Sequence, residues 1–275
     1  MKSLLLFLQT EMTEPTPWGW FHVLWLVLSV CTIMSLCTKK KHTEIEQRKV
    51  LFVYGFVSLI LELAKQLIWT YTYDIDLNII SSDYQWYSAP FQLCSTPMYV
   101  ALICSVIKSG KIRDALLSYM SFITILGGFM AMMIPDSCFT EDILVNIHTM
   151  WLHCGSFVVS IYLIKTRISK FEKTDLLQAI YVFTAFVFVA LFINIVVYHS
   201  GVLNDETFNM FYISPYFISE LPVFNTIQQS VPYVVFLTSY IAALSLGATL
   251  VYLISKLSMQ ILSYRAPINN NLKHG

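Results

Sequence analysis

Seven apolar segments, each about as long as a helix that crosses a lipid bilayer, constrain this chain more than any other feature. They lie at residues 18–36, 50–72, 90–107, 115–134, 143–164, 177–198 and 232–254. A helix rises about 1.5 Å per residue, so roughly 20 apolar residues cover a hydrocarbon core of ~30 Å. Hydrophobic residues make up 56% of the chain and charged residues 12%, against about 25% charged in soluble domains. The pattern predicts an integral membrane protein.

The segments are expected to be helices, because a chain in lipid must satisfy its backbone hydrogen bonds internally. A membrane barrel would show alternating segments of about ten residues, and the sequence has none. No linker or internal repeat divides the chain. We therefore predict an all-α fold in which residues 1–275 form one domain, a seven-transmembrane-helix bundle. The apolar stretch at 4–8 is too short for a span and is predicted to lie at the membrane surface.

The charged residues predict how this bundle is oriented. Every basic residue except Lys2 and Lys65 lies beside the loops after the first, third and fifth segments or after the seventh. Most acidic residues lie in the other loops. By the positive-inside rule, the amino terminus is outside and the carboxyl terminus cytoplasmic. We expect a multi-pass protein of the plasma membrane if bacterial, or of an organelle membrane otherwise. The basic loops are short and mixed with acids, so no nucleic-acid partner is expected.

Polar residues inside the apolar segments are the candidates for function. The second segment contains Glu62, Lys65 and Gln66, whose spacing of three and four places them on one helical face. An ionisable group at the bilayer centre costs at least ~2.5–3.5 kcal/mol and usually faces the bundle interior. Two interpretations stay open: a neutral pair that ties helices together, or the polar wall of a functional site.

The third segment opens with "APFQLCSTPMY", residues 89–99, which places Gln92 and Cys94 in its first turns. Pro97 removes a backbone hydrogen bond to the carbonyl of Leu93, so a kink beside Cys94 is predicted. A membrane cysteine is most often a small core residue. The alternative is a nucleophile.

The fifth segment carries two histidines, His148 and His153, in "IHTMWLHCG". An imidazole can take a proton from a thiol near neutral pH, and only the thiolate is a good nucleophile. The two are five residues apart, about 140° around a helix, so they are expected to face different partners. Each is either a packing residue or a catalytic one. Asn209 lies in the long outer segment 199–231, which is predicted either to pack or to cap a cavity.

The six cysteines show no CxxC pair and no ligand spacing. Neither a disulfide framework nor a metal site is therefore expected, and no cofactor motif is present.

Six motifs occur in a recognisable order: "LELAKQLIW" (61–69), "APFQLCS" (89–95), "ILGGFMAMMIPD" (125–136), "WLHCG" (151–155), "NMFYISPY" (209–216) and "VPYVVF" (231–236). Together they resemble the YwaF-like integral membrane proteins, which include the animal transmembrane protein 164. The resemblance runs from the second segment to the seventh and implies a seven-helix membrane protein. The animal relatives are acyltransferases that move fatty acyl groups between phospholipids through a cysteine and a histidine. The resemblance assigns these two roles to Cys94 and His153.

The leading hypothesis is an intramembrane acyltransferase with a cysteine acyl-enzyme. Its partners would be the lipid bilayer, a membrane phospholipid and a lysophospholipid, and the oligomeric state is left open. Supporting or substrate-binding roles are expected for Gln92, Glu62, Lys65, Gln66, His148 and Asn209. The alternative is a non-enzymatic transporter or receptor that uses Glu62 and Lys65.

Overall fold

The computed structural model describes residues 2–39, 42–135, 138–167 and 171–265. The helices are α1 (Lys2–Leu8), α2 (Trp20–Cys37), α3 (Glu44–Ile68), α4 (Thr96–Val106), α5 (Lys111–Phe122), α6 (Thr124–Met133), α7 (Ile143–Arg167), α8 (Lys173–His199), α9 (Pro222–Ser230) and α10 (Tyr233–Arg265). Counting α5 and α6 as one unit, six helices in this part of the chain are long and apolar enough to cross a membrane. The predicted all-helical membrane bundle is confirmed at this level.

The predicted helix over 90–107 needs correction, because only α4, 11 residues long, is helical there. At 1.5 Å per residue, α4 covers only about 16 Å. Pro97 stands in its first turn, where a proline costs nothing because that N–H has no partner in the helix. The Leu93 carbonyl accepts a hydrogen bond from the Thr96 hydroxyl at 2.7 Å. Pro97 therefore starts the helix instead of kinking it, and residues 89–95 are irregular.

The second predicted helix also ends earlier than expected. The chain leaves α3 at Ile68 and forms a hairpin of strands β1 (Tyr71–Asp74) and β2 (Ile79–Ser82), with Tyr71 opposite Ser82. The β-branched and aromatic residues here favour a strand, and the short hairpin lies outside the spans.

The predicted helix over 115–134 is interrupted at Ile123, between α5 and α6. The Met120 carbonyl there accepts two side-chain hydroxyls, from Thr124 at 2.8 Å and Ser160 at 2.6 Å. Such bonds from hydroxyl side chains compete with the helical ladder and bend helices.

Four helix ends meet at one end of the bundle. Arg48 of α3 donates to the Ser105 carbonyl of α4 at 2.9 Å. Arg113 of α5 donates to the Gln47 side chain at 3.0 Å, and Arg167 of α7 pairs with Asp114 at 3.0 Å. Arg48, Arg113 and Arg167 therefore lie together at this end, as the charge pattern predicts for one membrane face.

The core lies among α3, α4, α5, α7, α8 and α10. Its largest fully buried side chains are aromatic: Tyr119, Phe122, Tyr162, Phe183, Phe211, Phe236 and Tyr240. Helices α3 and α4 approach closely at Gly55, where an added Cβ would lie 3.0 Å from the Met98 carbonyl oxygen. A glycine is needed there because α4 backbone fills the space.

Candidate functional site

A buried carboxylate, Glu62, stands at the centre of a polar cluster inside the bundle. Its residue is 2% exposed. One oxygen, Oε1, receives the Lys65 ammonium at 2.8 Å and the Gln66 amide at 2.8 Å. The other, Oε2, lies 2.8 Å from His148 Nε2. The spacing on α3 predicts the first three residues; the fourth comes from α7, 86 positions away, and no local pattern identifies it.

The same cluster holds the irregular segment that precedes α4. The Ser88 carbonyl accepts from Lys65 Nζ at 3.1 Å and from Gln66 Nε2 at 2.8 Å. Glu62 and Lys65 carry opposite charges, so the cluster is neutral when His148 is neutral. A buried ion pair is tolerated when its remaining polar atoms are also bonded, and here they bond to a loop and a second helix.

His148 is 5% exposed, and its two ring nitrogens differ. Nε2 faces the Glu62 carboxylate, an acceptor, so this nitrogen carries the proton and donates it. Nδ1 is buried and has no hydrogen-bond partner among the described residues. A neutral imidazole with its proton on Nε2 has a free lone pair on Nδ1.

Cys94 lies two residues before α4 and is partly buried. Helix α4 packs against α3, which carries Lys65 and Glu62. Lys65 also bonds the Ser88 carbonyl, six residues before Cys94. The backbone N–H groups of Leu93 and Cys94 make no hydrogen bond to the rest of the described chain. Cys94 therefore precedes the amino end of α4, where the helix dipole is positive.

Gln92 and Asn209 meet through the backbone of the outer segment. Gln92 Nε2 donates to the Asn209 carbonyl at 3.1 Å, and Gln92 Oε1 accepts from the Phe211 N–H at 2.9 Å. Phe211 and Tyr212 both have a left-handed backbone, with φ of 60° and 58°. This conformation costs roughly 1–2 kcal/mol for a residue with a side chain. The Gln92 amide thus ties the Cys94 segment to a strained turn.

Two further amides that the sequence analysis did not single out support the same turn. Asn194 of α8 bonds both the N–H and the carbonyl of Met210, at 2.8 and 3.0 Å. Gln228 of α9 donates to the carbonyls of Ser214 and Phe217, at 2.9 and 3.1 Å. No sequence pattern singles out these two amides, because their partners are backbone groups of a distant turn.

His153 is partly exposed on α7, and its imidazole makes no hydrogen bond to the described residues. Its carbonyl lies against α6, where a Cβ on Gly128 would be 2.8 Å away. The sequence spacing predicts that the two histidines face different partners. In the described structure His148 bonds Glu62 and His153 does not. No hydrogen bond joins the Cys94 thiol to either imidazole in the described part of the chain.

An apolar groove of about 550 Å³ runs between α2, α3 and α7. Tyr54, Trp151, Cys154 and Gly155 are among its lining residues, and Lys49 lies at one end. The Trp151 indole donates to the Ser58 hydroxyl at 3.0 Å. His153 is not among the residues that line this groove, although its neighbour Cys154 is.

No set of three His, Cys, Asp or Glu side chains suited to a metal ion occurs among the described residues. The fold and the site define the chain as a polytopic helical membrane protein with a buried ionic cluster beside a cysteine.

The chain belongs to the TMEM164 family, whose model matches residues 13–254. This confirms the resemblance described above over most of the chain. No curated protein and no solved structure was found to match it.

Proposed function

We propose that this protein is an intramembrane acyltransferase that moves a fatty acyl group between phospholipids. The observation that carries the proposal is Cys94 at the start of α4, a helix that packs against α3, which holds Glu62 and Lys65. Family membership supports it. The position of Cys94 near the start of a membrane segment also fits the proposed substrate, because an ester carbonyl of a phospholipid lies at the boundary of headgroup and acyl chain.

The first half of the reaction would form an acyl-enzyme. The Cys94 thiolate attacks the ester carbonyl, the carbon–sulfur bond forms and the glycerol oxygen leaves. We assign the general base and acid to His153, which takes the thiol proton and returns it to the leaving oxygen. The backbone N–H groups of Leu93 and Cys94 are free to donate to the oxyanion, a role that backbone donors fill in other acyl-transfer sites.

The second half would regenerate the thiol. The hydroxyl of a lysophospholipid attacks the thioester, the carbon–oxygen bond forms and the Cys94 sulfur leaves. In this scheme Gln92 positions Cys94, because both ends of its amide are bonded to the turn at 209–211. The groove beside Trp151 is a candidate site for the acyl chain.

Replacing the nucleophile tests this proposal. With Cys94→Ala, transfer of a labelled acyl chain from phosphatidylcholine to a lysophospholipid should fall at least about a hundredfold in purified protein. Wild-type protein should gain the mass of one acyl chain at Cys94, removable by hydroxylamine. Cys31→Ser is the matched control, because Cys31 is exposed on α2 and should leave transfer unchanged. Wild-type transfer by the Cys94→Ala protein would end the proposal.

The buried ionic cluster favours a second candidate, a proton-coupled transporter built on Glu62 and Lys65. Transport requires that Glu62→Gln abolish substrate flux while Cys94→Ser leaves it intact. The enzyme proposal requires that Cys94→Ser be the damaging change. Comparing the two variants in one liposome preparation separates the candidates.

A further inference from the structure

Building on the proposed acyl transfer, we propose that His148 is the residue that binds the acceptor. Its Nδ1 would accept the hydrogen bond of the free glycerol hydroxyl of a lysophospholipid and take that proton as the hydroxyl attacks the thioester. His153 would then serve the cysteine, and His148 the acceptor.

The argument starts from the way Glu62 fixes the imidazole. Nε2 lies 2.8 Å from the carboxylate, and a carboxylate that also receives the Lys65 ammonium at 2.8 Å is ionised. Nε2 must then donate. The neutral tautomer with its lone pair on Nδ1 is therefore held in place, as a carboxylate holds a histidine that acts as a base.

Charge balance supports the neutral form. One carboxylate and one ammonium already cancel, so a second positive charge on His148 would leave an uncompensated charge in a site that is at most 13% exposed at its side chains. Buried net charge is strongly disfavoured. Nδ1 is consequently an acceptor awaiting a donor.

Nothing in the described chain supplies that donor, since Nδ1 is buried without a hydrogen-bond partner. Leaving a buried polar atom unpaired costs about 1–3 kcal/mol, so a retained orphan atom points to a partner that arrives from outside. The thiol is not that partner, because no hydrogen bond joins it to His148. Glu62, which His148 bonds, lies on α3, and α3 packs against α4 next to Cys94. The acceptor hydroxyl of the proposed reaction is therefore the donor that we place at Nδ1.

The proton balance closes. The acceptor hydroxyl loses its proton to Nδ1, its oxygen forms the new ester bond, and the carbon–sulfur bond breaks. The imidazolium, stabilised by Glu62, then returns the proton to the Cys94 sulfur. Neither a metal nor a redox partner is required.

The key variant is His148→Gln. A glutamine amide reaches the position of Nε2 and can keep the bond to Glu62, but it offers no basic nitrogen at the position of Nδ1. His22→Gln is the matched control, because His22 is fully buried and both its nitrogens have protein partners, the Trp18 N–H and the Met132 carbonyl.

Two measurements on purified protein distinguish the steps. In His148→Gln, acylation of Cys94 by phosphatidylcholine should proceed within about threefold of wild type, while transfer to lysophosphatidylcholine falls at least about a hundredfold, so that the acyl-enzyme accumulates. In a Cys94→Ala background, which cannot be acylated, His148→Gln should weaken lysophosphatidylcholine binding up to about tenfold. His22→Gln should change neither quantity.

Three results would overturn the inference. Acyl transfer by His148→Gln at the wild-type rate would show that Nδ1 is not used. Equal loss of acylation and transfer would assign the residue to both steps or to the fold. Failure of wild-type protein to form any acyl-enzyme would remove the proposed function itself, and the acceptor site with it.

Discussion

Asp142, immediately before α7, faces two like charges. It pairs with Glu11 in an isolated antiparallel bridge, and Glu141 precedes it. Partial burial, together with the charges of Glu11 and Glu141, raises the pKa of Asp142. An acid whose pKa is higher in the folded state than in the unfolded state is destabilising when ionised. The penalty is absent below the unfolded pKa of about 3.9 and grows as the pH rises through the folded pKa.

We therefore expect Asp142→Asn to raise the melting temperature of the detergent-solubilised protein by roughly 1–3 °C at pH 7.5. At about pH 3 and below the difference from wild type should shrink towards zero, because the carboxyl is then mostly protonated in both states. Asp76→Asn, in the exposed hairpin loop, controls for loss of a negative charge. An increment that is the same at both pH values would contradict the electrostatic explanation.

The polar site shows how far residue-level reasoning reaches. Helical spacing is enough to put Glu62, Lys65 and Gln66 on one face, because the period of a helix is fixed. It does not identify His148 as the partner of Glu62, since contacts between helices depend on packing. In the same way Gln92 and Asn209 are recognisable as polar residues in apolar surroundings, but their bond through a turn is not.

At the scale of elements, the contact between α3 and α4 fixes the distance from the ionic cluster to Cys94. Glu62 lies on α3 and Cys94 just before α4. Gly55 lets the two helices approach, because a Cβ there would lie 2.8 Å from the Leu102 side chain and 3.0 Å from backbone atoms of α4. A backbone cannot give way as the end of a flexible side chain can.

Gly55→Ala should destabilise the protein by about 1–3 kcal/mol, the usual result of overpacking a well-packed contact, and should lower acyl transfer by moving α4. Gly127→Ala is the control: Gly127 lies in α6 and has nothing within 4 Å of an added Cβ. Thermal unfolding and the transfer assay measure both effects. Equal stability of the two variants would show that the α3–α4 contact is not tight.

The irregular start of the third segment could not be predicted either, because it also depends on contacts with other parts of the fold. Apolar content and length favour a helix across 90–107, and a proline is compatible with either a kink or a first turn. Thr96 and Ser95 decide between them, since their local hydrogen bonds replace helical ones. Only the three-dimensional setting, with Ser88 bonded to Lys65 and Gln66, shows that the segment has other partners.

For the molecule as a whole, the course of residues 88–107 determines the number of membrane crossings. Ser88 is bonded to Lys65 and Gln66 near one end of α3, and Ser105 to Arg48 near the other. From Arg48 to Gln66, α3 rises about 27 Å. The segment therefore runs antiparallel to α3 over nearly the thickness of a hydrocarbon core, which favours a seventh crossing.

An odd number of crossings puts the two ends of the chain on opposite sides of the membrane. We expect an antibody to reach an amino-terminal tag in intact cells and a carboxyl-terminal tag only after permeabilisation. The charge distribution sets the direction. Both tags on one side would mean an even number of crossings, with the segment at 88–107 entering and leaving by the same face.

The irregular backbone at 89–95 determines which kind of inhibitor the proposed acyltransferase would bind. Peptide groups without helical partners do not face lipid. The backbone at 89–95 must therefore be covered by other parts of the protein or bind a polar ligand. The Tyr99 and Thr96 hydroxyls donate to the carbonyls of Pro90 and Leu93. The N–H groups of Gln92, Leu93 and Cys94 have no hydrogen-bond partner in the described chain. A compound that mimics a tetrahedral ester intermediate would accept hydrogen bonds from these backbone N–H groups. Side-chain substitutions would therefore do little to weaken its binding.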